Sequence, residues 1–194
     1  MKLCFATNNA NKLQEIQAML GQEFKLVTLE QIGCYDDIPE PYETISENSV
    51  GKARYVWENF GINCFADDTG LEVEALGGEP GVMSARYAGP QRMPDDNMNL
   101  LLQNLAPFDD RSARFITVIT LCINGDYQQF EGTINGTIIS EKRGDQGFGY
   151  DPVFMPEGFE VTFAQMSMQE KAALSHRGRA FAKLVEFLKD KQEN

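Results

Sequence analysis

The chain has 194 residues, 42% of them hydrophobic, enough for one sizeable core or two small lobes sharing a sheet without a disulfide staple. A formal charge of -12 argues against non-specific binding to nucleic acid, but a small anionic ligand stays open where basic residues or a metal offset that charge. Cys4, Cys34, Cys64 and Cys122 are widely spread with no C-x-x-C pair, and neither a signal-peptide core nor a membrane-length apolar run occurs. The expectation is a cytoplasmic protein with buried thiols and no membrane partner.

Residues 2 to 6 read as a buried strand, followed by the loop Thr7-Asn8-Asn9-Ala10-Asn11-Lys12 and a helix with Leu13, Ile16, Met19 and Leu20 on one face. Phe24 to Leu29 reads as a second strand. Thr44-Ile45-Ser46-Glu47 has capping-box spacing, and Val50, Ala53, Val56, Trp57 and Phe60 follow at helical intervals, which puts Trp57 in the core. A strand at 63 to 66 precedes Asp67-Asp68-Thr69-Gly70, and Leu71 to Ala75 forms a second extended segment before the loop Gly77-Gly78-Glu79-Pro80-Gly81. Asp95 is placed to cap a helix carrying Met98, Leu101, Leu102 and Leu105, ended by Pro107. Ser112 to Ile123 and Tyr127 to Ile139 flank Asn124-Gly125-Asp126, a strong hairpin signal. Ser167-Met168-Gln169-Glu170 is a second capping box, opening a short helix to Leu174, and a last amphipathic helix runs from about Arg177 to Asp190. No internal repeat interrupts this mixed α/β pattern.

The most informative stretch is the acidic pair at a strand end. Two carboxylates ~4 Å apart repel by about 4 kcal/mol at an effective dielectric near 20. A divalent metal, a shared proton, or divergence of the two side chains on an extended backbone relieves that repulsion. Asp68-Thr69-Gly70 also spells the aspartic-protease triplet, but one copy would need a homodimer, and Asp67 adds an unwanted charge beside such a dyad. Thr7 to Lys12 lies where a strand feeds a helix N-terminus, a setting that suits either phosphate, aided by Lys12, or a simple Asn-capped turn. Gly147-Phe148-Gly149-Tyr150-Asp151-Pro152 sets two aromatics between glycines, fitting a flat ligand or a turn with core rings. Lys171 sits within the short helix, and Ser175-His176-Arg177-Gly178 forms the break before the last one, so three polar donors could project from one corner. Each feature has a structural explanation of its own; together they make a phosphate, metal and base site.

These segments, with Ala75-Leu76-Gly77-Gly78-Glu79-Pro80-Gly81 and Ser84-Ala85-Arg86-Tyr87, resemble the inosine triphosphate pyrophosphatase, or Ham1-like, family in order and over nearly the whole chain. Asn8 stands where that family usually has Gly. The resemblance implies an α/β fold, an elongated mixed β-sheet with flanking helices forming two lobes around a central cleft within one domain, and a homodimer. It implies Mg²⁺-dependent hydrolysis of ITP, dITP and XTP to the nucleoside monophosphate and pyrophosphate, with a small-molecule substrate and no nucleic acid or membrane partner. Carried over by motif, Asp68 resembles the general base and a metal-linked carboxylate, and Glu40 a second metal ligand. Lys12, Lys52 and Lys171 would hold phosphates, with Thr7, Asn8, Asn9 and Thr69 lining that end, while Phe148, Gly149, Tyr150, Asp151, His176 and Arg177 would meet the base. Arg177, His176 or a backbone N-H near Gly149 would read the 6-keto group. A non-catalytic nucleotide-binding module is the alternative that uses the same loops without committing Asp68 to catalysis.

Overall fold

A computed structural model describes residues 2–19 and 25–193. Strands β1 (Lys2–Phe5), β2 (Lys25–Val27), β3 (Cys64–Val73), β4 (Pro80–Gly81), β5 (Ser112–Ile123), β6 (Asp126–Ile138) and β7 (Phe154–Pro156) alternate with helices α1 (Ala10–Met19), α2 (Ile45–Phe60), α3 (Pro94–Leu105), α4 (Met168–Leu174) and α5 (His176–Glu193). The hydrogen-bonded order is β2-β1-β3-β5-β6-β7, with β4 paired to β3. This is the mixed α/β class expected from the sequence. The expected strand from Phe24 begins at Lys25 among the described residues, and Phe24 and Leu20 lie outside them. No described helix is long and apolar enough to cross a membrane.

Two compact units divide the chain. The first comprises Met1–Asp68, Thr117–Gly132 and Arg177–Asn194. Here β1 runs parallel to both β2 (Leu3 opposite Leu26) and β3 (Phe5 opposite Phe65). Alternation of side chains sorts this sheet into two buried faces. Leu3, Phe5, Phe65, Ile119 and Leu121 pack with Ile16 of α1 and Phe181, Leu184 and Leu188 of α5. Cys4, Cys64, Ala66 and Cys122 pack with Ala53 and Val56 of α2, and Trp57 joins that cluster as expected of a core residue. All four cysteines are free and buried. Burial, with Cys34 nearby, pushes the Cys4 thiol up to about 12, so it stays protonated and inert. Helix α2 starts at the expected Thr44 cap, whose Oγ1 accepts from the Glu47 N-H at 3.1 Å, while the Glu47 carboxylate accepts from the Thr44 hydroxyl and so does not complete the capping box.

The second unit comprises Thr69–Ile116 and Thr133–His176. Strand β7 pairs antiparallel with β6, Ile138 opposite Phe154, and β4 pairs antiparallel with β3, Leu71 opposite Gly81. Its core gathers Leu71, Val73, Leu101, Leu105, Phe115, Ile138, Phe154 and Phe163. Gly136 is needed for the β6 to β7 approach, because a Cβ there would lie 2.4 Å from the Met155 carbonyl oxygen.

Three sequence expectations are corrected. The segments 63 to 66 and Leu71 to Ala75 form one strand as far as Val73, running through the acidic pair, with β1 paired to its start at Cys64 and Phe65 and β4 to its far part at Leu71 and Glu72. Asp95 does not cap α3: Pro94 occupies the first turn and Met93 precedes it with no side-chain cap bond. The last helix begins at His176, one residue before the expected start near Arg177, so the break is confined to Ser175 rather than spanning Ser175 to Gly178. The hairpin turn is as expected, with Asn124 (φ 52) and Gly125 (φ 88) both left-handed between β5 and β6.

Candidate active site

In the first unit, the period of β3 decides what each acidic residue meets. Phe65 faces α1 and α5, so Asp67, two residues on, does too; Ala66 faces α2, and so does Asp68. Asp67 is 1% exposed and accepts from Lys12 Nζ of α1 at 3.0 Å and Arg177 Nε of α5 at 3.2 Å. Arg177 Nη1 also pairs with Glu15, one helical turn beyond Lys12. Two cations and two carboxylates thus close a neutral buried chain. Burial alone would raise the Asp67 pKa, but Lys12 and Arg177 hold it well below the usual carboxylate range. Burial lowers the Lys12 pKa by more than Asp67 returns.

Asp68 is half-buried on the opposite face, with Lys52 Nζ of α2 at 3.7 Å from Oδ1. The same ammonium lies 2.5 Å from Glu40 Oε1. Burial raises the Asp68 pKa, Lys52 and Lys12 oppose it, Glu40 and Asp67 add to it, and the net direction is upward. Burial would lower the Lys52 pKa, but Asp68 and Glu40 outweigh it, so Lys52 stays charged. Glu40 and Asp68 therefore converge on one cation. Among the described residues, no group of three or more His, Cys, Asp and Glu side chains could hold a metal. A hard divalent ion that keeps waters and takes substrate oxygens needs only one or two carboxylates, which this pair supplies.

The loop after β1 lies in the same unit. Asn9 Oδ1 accepts from the N-H groups of Asn11 at 3.0 Å and Lys12 at 3.2 Å, and Thr7 Oγ1 accepts from the Asn9 N-H. Of the two readings left open for this loop, the Asn-capped turn accounts for those N-H groups. The exposed Asn8 amide donates to Asp37 Oδ1 at 3.2 Å. Thr69, half-buried, follows Asp68 in β3.

The second unit holds a separate constellation. Asp151, 2% exposed, accepts from the Phe148 N-H at 2.8 Å and from Lys171 Nζ of α4 at 2.6 Å. That ammonium lies 4.8 Å from the Phe148 ring centroid and 5.6 Å from that of Phe163. Gly147 has φ 73, and a Cβ there would meet Asp151 Oδ2 at 2.1 Å, so the loop closes on its own carboxylate only with glycine. The Tyr150 hydroxyl donates to the Ser84 carbonyl at 2.8 Å and its ring joins the core, which leaves Phe148 as the half-exposed aromatic of the loop. Burial drives the Tyr150 phenol upward, away from ionisation. His176, 3% exposed, stacks on Phe115 with ring centroids 4.6 Å apart.

The structure thus groups Lys12 with Asp67 and Arg177, and Lys52 with Glu40 and Asp68, inside the first unit. It groups Lys171 with Phe148 and Asp151 inside the second, whereas the motif transfer set Lys171 among the phosphate ligands. Glu15 was not singled out in the sequence; a carboxylate three residues after Lys12 and next to core residue Ile16 was the available signal.

A model of the Ham1 family matches residues 3–187. A dITP/XTP pyrophosphatase of Flavobacterium psychrophilum is 54% identical over 190 residues, spanning 98% of this chain and 100% of its own. One from Porphyromonas gingivalis is 50% identical over 188 residues, spanning 96% of this chain and 97% of its own. The structure of the Staphylococcus aureus Ham1 protein superimposes with a TM-score of 0.90 at 34% identity, covering 98% of this chain and 100% of that one. A nucleoside-triphosphatase, or dITP/XTP pyrophosphatase, of Mycobacterium abscessus gives a TM-score of 0.77 at 39% identity, over 95% of this chain and 98% of that one.

Proposed function

Because the chain belongs to the Ham1 family, we propose that it is a nucleoside-triphosphate pyrophosphatase that hydrolyses dITP, XTP and ITP to the monophosphate and pyrophosphate. The observation that carries this reading is the convergence of Glu40 and Asp68 on Lys52, on the strand whose neighbouring carboxylate is neutralised by Lys12 and Arg177. Asp68 acts as general base. It takes a proton from the water that attacks the α-phosphorus, the α-β phosphoanhydride bond breaks, and pyrophosphate departs with the bonding electrons. Burial raises the Asp68 pKa, and Lys52 beside it opposes that rise. Lys12 and Lys52 stabilise charge on the triphosphate, with Thr7, Asn8, Asn9 and Thr69 lining that end. Glu40 and Asp68 would hold Mg²⁺, which when bound offsets phosphate charge and polarises the phosphoryl oxygens.

Phe148, Gly149, Tyr150, Asp151 and His176 are assigned to the base. The ion pair with Asp151 and the neighbouring Phe148 ring support moving Lys171 to this end as well. An ammonium carries donors only, so it pairs with a 6-keto oxygen and is left unsatisfied by the 6-amino group of adenine. Arg177, engaged by Glu15 and Asp67, is proposed to orient Asp67 rather than read the base. A single domain, a homodimer and a cytoplasmic location complete the proposal; the four free cysteines support the last.

A product panel tests the reading. With Mg²⁺, dITP, XTP and ITP should each yield monophosphate and pyrophosphate far faster than ATP, and light scattering on the same sample should give twice the 21.7 kDa chain mass. Release of orthophosphate, or equal turnover of ATP, would contradict the assignment. A nucleotide-binding module would release nothing, and an aspartic protease would ignore removal of metal by EDTA.

A further inference from the structure

Glu40 sits on the stretch between Gly33 and Thr44, which contains no α-helix or strand, so something else must hold its carboxylate in place. That something is two residues away. The backbone of Tyr42 is bonded on both sides by one side chain: Asn48 Oδ1 accepts from the Tyr42 N-H at 3.1 Å, and Asn48 Nδ2 donates to the Tyr42 carbonyl at 3.2 Å. Asn48 is 1% exposed, so its side of both bonds is kept from bulk water. A paired donor and acceptor of this kind fixes a segment as one rung of a β-ladder would.

A second contact reinforces the first. The Tyr42 ring lies over Gly51, where a Cβ would fall 2.5 Å from Tyr42 Cε2. The backbone of Gly51 is ordinary helix, so no positive φ demands glycine there, and the absence of a side chain serves the ring. Asn48, Lys52 and Val56 lie at successive i, i+4 positions on α2. One helix face therefore carries the anchor for the Glu40 segment, the ammonium that touches both Glu40 and Asp68, and the core residue that seats the helix.

We propose that Asn48, with Gly51, is a positioning residue that sets the separation of Glu40 from Asp68 and thereby tunes the affinity of this carboxylate pair for a divalent cation. The inference rests on the metal-binding reading of Glu40 and Asp68. Asn48 acts through Tyr42 and touches neither substrate nor metal. Outer-shell groups that orient ligating carboxylates are typically worth 10- to 100-fold in metal affinity.

The test uses Mn²⁺ alone, titrated into the full-length protein with the free ion followed by EPR, and Mg²⁺-dependent turnover of dITP as a second readout. Asn48→Ala should weaken Mn²⁺ binding by about tenfold or more, and excess Mg²⁺ should restore kcat, which a general packing fault would not allow. Gly51→Ala raises helix propensity while displacing the Tyr42 ring, so it should lose Mn²⁺ affinity without losing thermal stability. Glu40→Gln separates the two levels of the argument. If Glu40→Gln leaves Mn²⁺ binding unchanged, the metal reading of Glu40 fails and the inference falls with it. If Glu40→Gln weakens binding but folded Asn48→Ala stays within twofold of the parent, the anchoring role alone is overturned. Should Asn48→Ala not fold, unchanged Mn²⁺ affinity in Gly51→Ala overturns it.

Discussion

At the scale of single residues, the adjacent carboxylates of β3 are two different instruments. From the sequence, side-chain alternation on an extended strand already pointed to divergence as well as metal as the relief of their repulsion, and the pleat of β3 supplies that divergence. Asp67 goes to the α1 and α5 face, where Lys12 and Arg177 neutralise it; Asp68 goes to the α2 face, beside Lys52. Removing a charge from a buried, paired group leaves its partners uncompensated, which costs about 3–5 kcal/mol. Asp67→Asn should therefore lower stability by that order in urea titrations near pH 7. The folded pKa of Asp67 lies below the unfolded value near 3.9. Its contribution is complete above about pH 4 and is lost as pH falls through the folded value. The stability gap between parent and variant should accordingly narrow below pH 4 and hold steady above it; a gap that widens on acidification would contradict the pairing. What the residue pattern could not reveal was partner choice. Glu15 and Asn48 act through contacts whose other halves lie 162 and 6 positions away.

At the scale of elements, the start of α2 was legible because an N-cap is a local chemical device. Thr44 accepts from the Glu47 N-H at 3.1 Å and donates to the Glu47 carboxylate at 2.7 Å. Thr44→Ala should cost about 1 kcal/mol, read as a lower urea midpoint at unchanged slope, with dITP turnover preserved in the folded protein. The hairpin was equally legible, since Asn-Gly accepts two left-handed residues. Elements defined by distant partners were not. Asp67-Asp68-Thr69-Gly70 has poor strand propensity, yet β3 continues through it, between the residues that pair with β1 and those that pair with β4. The three-residue β7 exists by pairing with β6. Ser175-His176-Arg177-Gly178 read as a break, yet Gly178 lies buried within α5, where tertiary packing outweighs its low helix propensity.

At the scale of the whole molecule, a chain of charge -12 sets a few buried or half-buried cations against its own carboxylates. Lys12, Lys52 and Arg177 are each engaged by one or two acidic groups of the first unit, and Lys171 by Asp151 of the second. The α/β class and the ordered motifs were readable because each motif pairs a backbone requirement with a chemical one, as at Gly147 and Asp151. The central claim is that one carboxylate, Asp68, activates water for cleavage at the α-phosphorus. Steady-state hydrolysis of dITP by folded Asp68→Asn, with saturating Mg²⁺, tests it most directly. Loss of a general base predicts a fall in kcat of roughly 10²- to 10⁴-fold, larger than that caused by Thr69→Ala or Glu40→Gln. Turnover within a few-fold of the parent would contradict it.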